Sequence, residues 1–335
     1  MTPASVNVPR ATKVFLTGGG GSGTIAVIHS LKQLGYEVAT ADASVHSAGL
    51  GIADRGYVIP FAVDNAFEGA LREILRIERP DFIVPLVDEE IPLVHRVVER
   101  EFPETLVLAP RLAFCEAMLD KWLMYEQLSA AEISVARSWL ASNAADCVYP
   151  AVIKPRVGRG SRGLAYLDNK SDLQSYLAAA SCNADQYVVQ ERAYGAEYTT
   201  SAVVALDNHL LAVVPKEVIS KKGITQVGTT RSVSSIDALC RSIQEKLHPG
   251  GPFNVQLVLD AAEKPIIFEI NPRYSTTVAL TLAAGVNEVD EVIRRAQGRE
   301  PISLSFEPDL MMIRYQTQLY VKENEWAPQD LRSPR

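Results

Sequence analysis

The sequence predicts a doubly wound α/β domain followed by an α+β body. Two observations support this division. Up to about residue 110, short apolar strands alternate with amphipathic helices, as expected for a parallel sheet covered by helices. Beyond that point strands predominate, and two of them, Phe253–Asp260 and Pro265–Arg273, are joined by a connection of hairpin length.

The first domain opens with an apolar strand, a glycine-rich turn and a helix. Its predicted elements are, in chain order, strand 13–17, helix 24–34, strand 36–42, strand 57–61, helix 65–78, strand 81–87, helix 90–101 and strand 105–109. Gly35 and Pro80 follow the first two helices, because glycine favours helix C-termini and proline cannot continue a helix.

The following body mixes strands and helices. Its predicted helices are 111–131, 171–180, 235–247 and 288–297. Its predicted strands before the hairpin are 135–139, 151–155, 164–167, 187–191, 198–206 and 210–218. The polar, glycine-containing segment Lys216–Arg231 is predicted to be a mobile loop, and the polar tail Trp326–Arg335 is predicted to be disordered.

Composition limits the classes of function. The 335 residues are 47% hydrophobic with a net charge of −7, which supports a sizeable core and argues against nucleic acid as the main partner. No apolar run reaches the length of a membrane span, and the N-terminus lacks the apolar core of a signal peptide. The cysteines and histidines have no metal-ligand spacing, so we expect a cytoplasmic protein with reduced thiols and neither a zinc site nor a catalytic triad. These residues are Cys115, Cys147, Cys182, Cys240, His29, His46, His95, His209 and His248.

The C-terminal hairpin has two chemically different faces if it is symmetric about Ala262–Glu263. The apolar face then consists of the facing pairs Val255/Ile270, Leu257/Phe268 and Leu259/Ile266. The other face collects Asn254, Gln256, Glu269 and Asn271. Because cross-strand neighbours lie roughly 5 Å apart, Gln256, Glu269 and Asn271 can share one or two hard cations through oxygen. A solvated polar face is the alternative interpretation.

A glycine loop follows the strand that contains Lys154. Residues 152–163 read VIKPRVGRGSRG, with three arginines and Ser161 among the glycines. Backbone N–H groups and guanidiniums suit a lid that closes over polyphosphate. The segment is not a Walker loop, because no Gly-Lys-Ser/Thr opens a helix. The alternative is a solvated basic loop.

The sequence Gly18–Gly23 satisfies G-x-G-x-x-G between a strand and a helix, and Asp42 ends the next strand, as in a dinucleotide site. Tyr166 and Lys170 have the Tyr-x-x-x-Lys spacing of short-chain dehydrogenases, but a turn predicted between them would keep them off one helix. We favour a tightly packed turn, or backbone N–H groups that meet a substrate carboxylate. NAD binding stays as an alternative.

Three motifs in this order resemble the ATP-grasp superfamily from about residue 10 to 300: the glycine loop with its lysine, the segment Gln190–Glu197, and the block from Gln256 to Arg273. Carbamoyl phosphate synthetase large-subunit-like proteins and single-unit carboxylate–amine ligases are the most similar members. The resemblance implies a Rossmann-like pre-ATP-grasp domain at 1–110, an ATP-grasp domain at 111–305 with a lid at 134–191, and a C-terminal extension at 306–335. It also implies ATP and Mg²⁺ or Mn²⁺ as cofactors.

The resemblance also assigns roles to individual residues. The implied nucleotide-binding residues are Lys121, Lys154, Gly160 and Ser161 for the phosphates, Gln190, Glu191 and Arg192 for adenine, and Glu197 for ribose. The implied metal ligands are Gln256, Glu269 and Asn271. Arg273 and Lys154 are the implied catalytic residues, and Arg273 would steady an acyl phosphate. On general grounds Lys121 and Glu197 could instead be exposed surface residues, and Arg273 could simply pair with Glu269.

The implied reaction is ATP-dependent phosphorylation of a carboxylate, followed by attack of an amine and release of ADP and phosphate. Small-molecule carboxylates and amines are therefore the expected partners, and a homodimer is left open. Carbamoyl phosphate synthetases carry Arg where Lys154 stands and His where Thr225 stands, and they pair two such units. Carboxyphosphate and carbamate chemistry is therefore the second reading, and an NAD oxidoreductase or a silent nucleotide-binding protein are further alternatives.

Two groups are candidates for binding substrate. Asp88 and Glu89 stand at the C-terminal end of the predicted fourth strand, where open α/β sheets bind ligands. They could hold an ammonium group or start a helix. Lys222 and Arg231, in the predicted loop, could bind a substrate carboxylate.

Overall fold

The computed structural model describes residues 11–160, 162–180 and 183–332. Contacts divide the chain into two compact units. The first unit comprises the described residues up to Val87, Leu93–Val107 and the described residues from Leu319. The second unit comprises Asp88–Pro92 and Leu108–Gln318, so residues 306–318 of the C-terminal segment belong to it.

Strands and helices cover most of both units. The elements up to residue 130 are β1 (Lys13–Thr17), α1 (Thr24–Gln33), β2 (Glu37–Asp42), α2 (Gly49–Ile52), β3 (Arg55–Val58), α3 (Phe67–Glu78), β4 (Phe82–Val84), α4 (Ile91–Glu101), β5 (Leu106–Val107), α5 (Leu112–Leu119) and α6 (Lys121–Ala130). The later elements are β6 (Ser138–Leu140), β7 (Ala151–Pro155), β8 (Ala165–Leu167), α7 (Lys170–Ala180), β9 (Tyr187–Glu191), β10 (Ala196–Val204), β11 (Leu210–Lys222), β12 (Ile224–Thr230), α8 (Ser234–Leu247), β13 (Phe253–Leu259), β14 (Pro265–Asn271), α9 (Val278–Ala283), α10 (Glu288–Ala296), β15 (Met311–Ile313) and β16 (Gln329–Asp330).

The first unit is the predicted doubly wound domain. Its described strands form one parallel sheet in the order β16-β3-β2-β1-β4-β5. Side chains such as Phe15, Tyr57 and Phe67 are fully buried between this sheet and its helices. The central strands read as continuous apolar runs because both of their faces are covered.

The tail of the chain is ordered as far as Arg332, contrary to the prediction of disorder. β16 pairs with β3, and Trp326 Nε1 donates a hydrogen bond of 3.0 Å to the carbonyl of Val45. These partners are distant in the sequence, so the local polar composition gave no indication of them. Residues 333–335 lie outside the described part of the chain.

The second unit is built on an antiparallel sheet. Its described strands follow the order β14-β13-β10-β11-β12-β15, and a separate sheet has the order β6-β9-β7-β8. Apolar side chains of α5, α6 and α8 pack on one face of β10, β13 and β14 and form the core. The smaller sheet has its own apolar cluster, packed against α7.

The single helix predicted for residues 111–131 is in fact two helices. Asp120 is extended, and its Oδ1 accepts hydrogen bonds from the backbone N–H of Trp122 at 2.9 Å and of Leu123 at 3.3 Å. Asp120 is therefore the N-cap of α6 and satisfies donors that a helix start leaves unpaired. Lys121 becomes the first residue of the second helix.

The C-terminal hairpin follows the predicted register only at its open end. Asn254 faces Asn271 and Gln256 faces Glu269, as predicted. The register then shifts, so that Leu257 faces Ile267 instead of Phe268. A bulge places one extra residue on β14. As a result Ile267 is fully buried in the core, whereas Phe268 lines a pocket on the polar face.

The segment Lys216–Arg231 is a β-hairpin, and the prediction of a mobile loop is wrong. β11 and β12 pair along their length, with register shifts after Val218, and Gly223 adopts a φ of +72° in the turn. This left-handed conformation favours glycine. Polar side chains alone do not distinguish a loop from a strand with one solvated face.

Candidate active site

Two adjoining pockets of about 200 and 130 Å³ lie in the second unit. Both are lined by the glycine loop, by the tip of the β11–β12 hairpin and by the β13–β14 hairpin. The residues that they share are Arg159, Gly160, Arg162, Lys221, Gly223, Gln256 and Glu269. Lys121, Lys154 and Phe268 line only the smaller pocket, whereas Arg273, Asn254 and Asn271 line only the larger one. We call these the lysine end and the arginine end.

Lys154 is buried at the lysine end. Its Nζ donates hydrogen bonds to Gln190 Oε1 at 2.9 Å and to the carbonyl of Phe268 at 3.0 Å. Burial lowers the pKa of Lys154 to about 8, and the carboxylate of Glu269 offsets this effect only in part. Gln190 is held in turn by Ser138, because Gln190 Nε2 donates to Ser138 Oγ at 3.1 Å. The ammonium group is therefore held in one position.

Lys121 meets the glycine loop. Its Nζ donates a 2.7 Å hydrogen bond to the carbonyl of Gly158. The predicted phosphate contacts Gly160 and Arg162 line both pockets, whereas Ser161 lies outside the described residues. Arg156, from the same loop, pairs with Asp120 at 2.6 Å. The pair holds the base of the loop against the start of α6.

The predicted metal ligands converge on the shared wall. Gln256 and Glu269 are direct cross-strand partners and line both pockets, and Asn271 lines the arginine end. Asn271 Oδ1 accepts a 3.3 Å hydrogen bond from Arg273, while its buried Nδ2 has no hydrogen-bond partner among the described residues. In the described part of the chain, no group of three or more His, Cys, Asp or Glu residues is placed to hold a metal ion. One carboxylate with two amide oxygens is a donor set that a hard cation accepts.

Arg273 pairs with Asp88 and not with Glu269. Its Nε lies 2.6 Å from Asp88 Oδ1, and its Nη2 lies 3.3 Å from Asp88 Oδ2. Nη1 donates to the carbonyl of Tyr274 at 3.1 Å. Burial disfavours the charge of Arg273, but the adjacent Asp88 outweighs burial and raises the pKa of Arg273 above its ordinary value. The guanidinium thus stays charged inside the protein.

Two further ion pairs border the shared wall. Glu89 contacts Arg159 of the glycine loop at 2.9 Å, and Glu197 contacts Lys221 at 2.7 Å. All four side chains are partly exposed. Surface pairs of this kind contribute little to stability, so these groups can exchange partners at small cost.

Seven predicted site residues are not among the described residues that line either pocket: Asp88, Glu89, Gln190, Glu191, Arg192, Lys222 and Arg231. Arg192 lies over the rings of Tyr166 and Tyr194, 5.0 and 5.1 Å from their centroids. Arg231 pairs with Glu217 at 2.9 Å and with Asp309. Its guanidinium is therefore already neutralised by neighbouring carboxylates.

Lys221 and Phe268 line the site although no motif in the sequence marks them. Lys221 Nζ lies 6.0 Å from the centroid of the Phe268 ring. Side chains alternate between the two faces of a strand, so predicting β11 as a strand would have placed Lys221 on the face toward the site. Phe268 reaches the site through the bulge, for which the sequence has no distinct signal.

The glycine run of the first unit uses Asp42 for its own structure. Asp42 Oδ2 accepts from the backbone N–H of Gly20 at 2.7 Å, and Oδ1 accepts from the N–H of Ser44 at 2.8 Å. Tyr166 lies on β8 and Lys170 begins α7, so they do not share a helix. Both observations weigh against NAD binding. The Asp42 carboxylate that would hold the ribose already accepts hydrogen bonds within the protein, and Tyr166 and Lys170 cannot act together from one helix.

The sequence of residues 118–277 matches the family model of the ATP-grasp domain. Slightly less than half of the chain thus resembles ATP-grasp domains, and the predicted resemblance and fold class are confirmed. The crystal structure of carboxyaminoimidazole ribonucleotide synthase from Aspergillus clavatus, solved with ATP, has the same fold: the TM-score is 0.74 at 18% identity, over 90% of this chain and 80% of that one.

Curated relatives also match this chain. The formate-dependent phosphoribosylglycinamide formyltransferase of Janthinobacterium sp. (strain Marseille) is 31% identical over 192 residues, which are 55% of this chain and 44% of that protein. The carbamoyl phosphate synthase large chain of Pseudothermotoga lettingae is 27% identical over 274 residues, which are 76% of this chain and 24% of that protein. The chain thus spans less than half of either relative. Within the described residues, no helix combines the length and the apolarity that crossing a bilayer requires.

Proposed function

We propose that this protein is an ATP-dependent ligase that activates a carboxylate as an acyl phosphate and joins it to an amine of the amino-acid or peptide type. The observation that supports this most is the convergence of two lysines, an oxygen-rich hairpin and a buried arginine on adjoining pockets. The lysines suit polyphosphate, and the arginine suits a carboxylate. The ATP-grasp fold is consistent with this assignment.

The lysine end would bind the nucleotide phosphates. Lys154 and Lys121 would exchange their carbonyl and amide acceptors for phosphate oxygens, while Gly160 offers backbone N–H groups. Gln256, Glu269 and Asn271 would hold Mg²⁺ or Mn²⁺, which when bound neutralises charge on the phosphates. Residues 134–191, with their own sheet and core, would act as the lid that excludes water.

The arginine end would bind the carboxylate. A carboxylate oxygen forms a bond to the γ-phosphorus of ATP as the bond to ADP breaks, which produces an acyl phosphate. The amine nitrogen then forms a bond to the acyl carbon, inorganic phosphate leaves, and the amine proton passes to solvent. Arg273 would stabilise the charge on the acyl oxygen, because a guanidinium remains protonated and has fixed donors.

A product assay tests this proposal. The protein is incubated with Mg·ATP and an amino-acid mixture, and the nucleotides are resolved by chromatography. We expect ADP and phosphate together with a new amide. Arg273→Ala should slow turnover by about 100- to 1000-fold and change the Kd for ATP far less, because the side chain acts at the arginine end. AMP and pyrophosphate as products would refute the acyl-phosphate mechanism.

Carbamoyl phosphate synthesis is the second candidate, favoured by the similarity to the large chain of that synthase over 76% of this chain. Lys154 and Thr225 stand where those enzymes have Arg and His, which weighs against it. ATP-dependent formation of carbamoyl phosphate from bicarbonate and ammonia would decide for this candidate.

A further inference from the structure

Arg273, which lines the arginine end, forms a largely buried ion pair with Asp88. Asp88 and Arg273 are separated by 185 residues in the sequence, and their side chains are only 10% and 13% exposed. Asp88 precedes α4, and Arg273 follows β14. Arg273 lines the pocket, and the Asp88 carboxylate, which is not among the described lining residues, lies directly beside the guanidinium.

A buried ion pair determines which ligands can replace it. Separating the pair leaves two charges in a poorly solvated place, and each charge then needs a new partner. A ligand with a carboxylate alone would satisfy Arg273 and leave Asp88 unpaired. A ligand with both a carboxylate and an ammonium group satisfies both, and the site holds the same net charge before and after binding.

Apart from Glu197, which pairs with Lys221, the remaining wall of the arginine end is neutral. Thr199, Thr225, Asn254 and Thr276 line it, and Thr199 Oγ1 donates to Asn254 Oδ1 at 2.9 Å. Apart from Arg273, the cations among the described lining residues belong to the wall shared with the lysine end. A substrate with its own phosphate group would need a further cation here, whereas a small zwitterion would not.

We propose that the arginine end binds a small α-amino acid as a zwitterion, with its carboxylate on Arg273 and its ammonium group on Asp88. The proposal rests on the ligase function above and specifies its carboxylate substrate. The ammonium group of this amino acid stays on Asp88, so a different molecule supplies the amine that attacks the acyl phosphate. Asp88 is then the residue that distinguishes an amino acid from a plain carboxylic acid.

The test compares matched acids with and without the amino group. The full chain is given Mg·ATP, hydroxylamine as the attacking amine, and either glycine, L-alanine or L-serine, or the corresponding acetate, propionate or 3-hydroxypropionate. Hydroxamate and phosphate are measured. We expect kcat/KM for at least one amino acid to exceed that for its partner acid by about 100-fold, because a site built around a charged group rejects the analogue that lacks it.

Asp88→Asn should remove this preference. The ratio of kcat/KM for the amino acid to kcat/KM for its partner acid should fall from about 100 to within a few-fold of 1. Asp207→Asn is the matched control, since it breaks the exposed pair with Arg295 elsewhere in the second unit and should keep the preference. The wild-type comparison decides the matter by itself if Asp88→Asn does not fold.

Each outcome has a distinct meaning. Equal use of amino acids and partner acids by the wild type, or an equal loss for both in Asp88→Asn, would overturn the zwitterion site and leave the ligase function standing. Absence of ATP-dependent hydroxamate and phosphate with all six acids would overturn both. A selective loss in Asp88→Asn alone, with the control unchanged, would support the proposal.

Discussion

ATP affinity should fall as Lys154 loses its proton. Burial lowers the pKa of this lysine from an ordinary value of 10.5 to about 8, so the free protein deprotonates it in a range where ordinary lysines are charged. A phosphate oxygen attracts the ammonium form and not the neutral amine. The Kd for Mg·ATP should therefore rise with pH, and ATP binding above pH ~8 should be accompanied by proton uptake.

The size of the effect follows from the pKa. The protonated fraction of a group with a pKa near 8 falls from about three quarters at pH ~7.5 to about 3% at pH ~9.5. If only the ammonium form binds phosphate, Kd rises roughly 20- to 30-fold over this interval. The phosphate groups of ATP do not contribute, because they complete their ionisation at about pH 6–7.

Isothermal titration calorimetry in two buffers of different ionisation enthalpy measures both Kd and the number of protons taken up. Lys154→Arg should give a flat profile, because guanidinium stays protonated throughout this range. Lys154→Met should bind ATP weakly at every pH. A wild-type Kd that changes less than about threefold, or a pH dependence retained in Lys154→Arg, would refute the reasoning.

Three further predictions concern the metal site and the stability of the fold. Glu269→Gln keeps the shape and removes the one carboxylate among the three proposed metal ligands, so phosphate release at saturating Mg²⁺ should fall at least about 100-fold with little change in Tm. Turnover within a few-fold of wild type would argue against a metal ligand. Burial lowers the pKa of Lys216 to about 8. Between this pH and about 10.5, the unfolded chain therefore binds more protons than the folded protein. The free energy of unfolding should rise with pH in this range by up to about 3 kcal/mol. Lys216→Met should show a smaller rise in urea unfolding at pH ~7.5 and ~10, and an unchanged rise would contradict the lowered pKa. Gly195 has a φ of +145°, and a Cβ added to it would lie 2.0 Å from the carbonyl oxygen of Leu259. Gly195→Ala should therefore lower the free energy of unfolding by at least about 1–3 kcal/mol. Gly298→Ala, where nothing lies within 4 Å of the added Cβ, is the control and should lower it clearly less; equal losses would rule out the clash.

Local patterns in the sequence were sufficient for many of the regular elements and for part of the site. Strand β1 and strands β7 and β9 coincide with their predicted bounds, because their apolar runs end at turn residues. The facing of Gln256 and Glu269 followed from counting back from the hairpin turn. The position of Lys154 near the end of β7 followed from the apolar run that precedes the glycine loop.

Tertiary structure decided which partners these residues have. Arg273 binds Asp88, 185 residues away, and not the nearby Glu269, since strand geometry and packing bring Asp88 to the guanidinium. Lys221 reaches the pocket because Lys216–Arg231 pairs as a hairpin, and its polar side chains alone did not distinguish a hairpin from a loop. A one-residue bulge places Ile267 in the core, where the symmetric register predicts Phe268. A sequence records the two-residue period of a strand, but the energy that selects a bulge or a distant ion partner arises only when separate segments pack together.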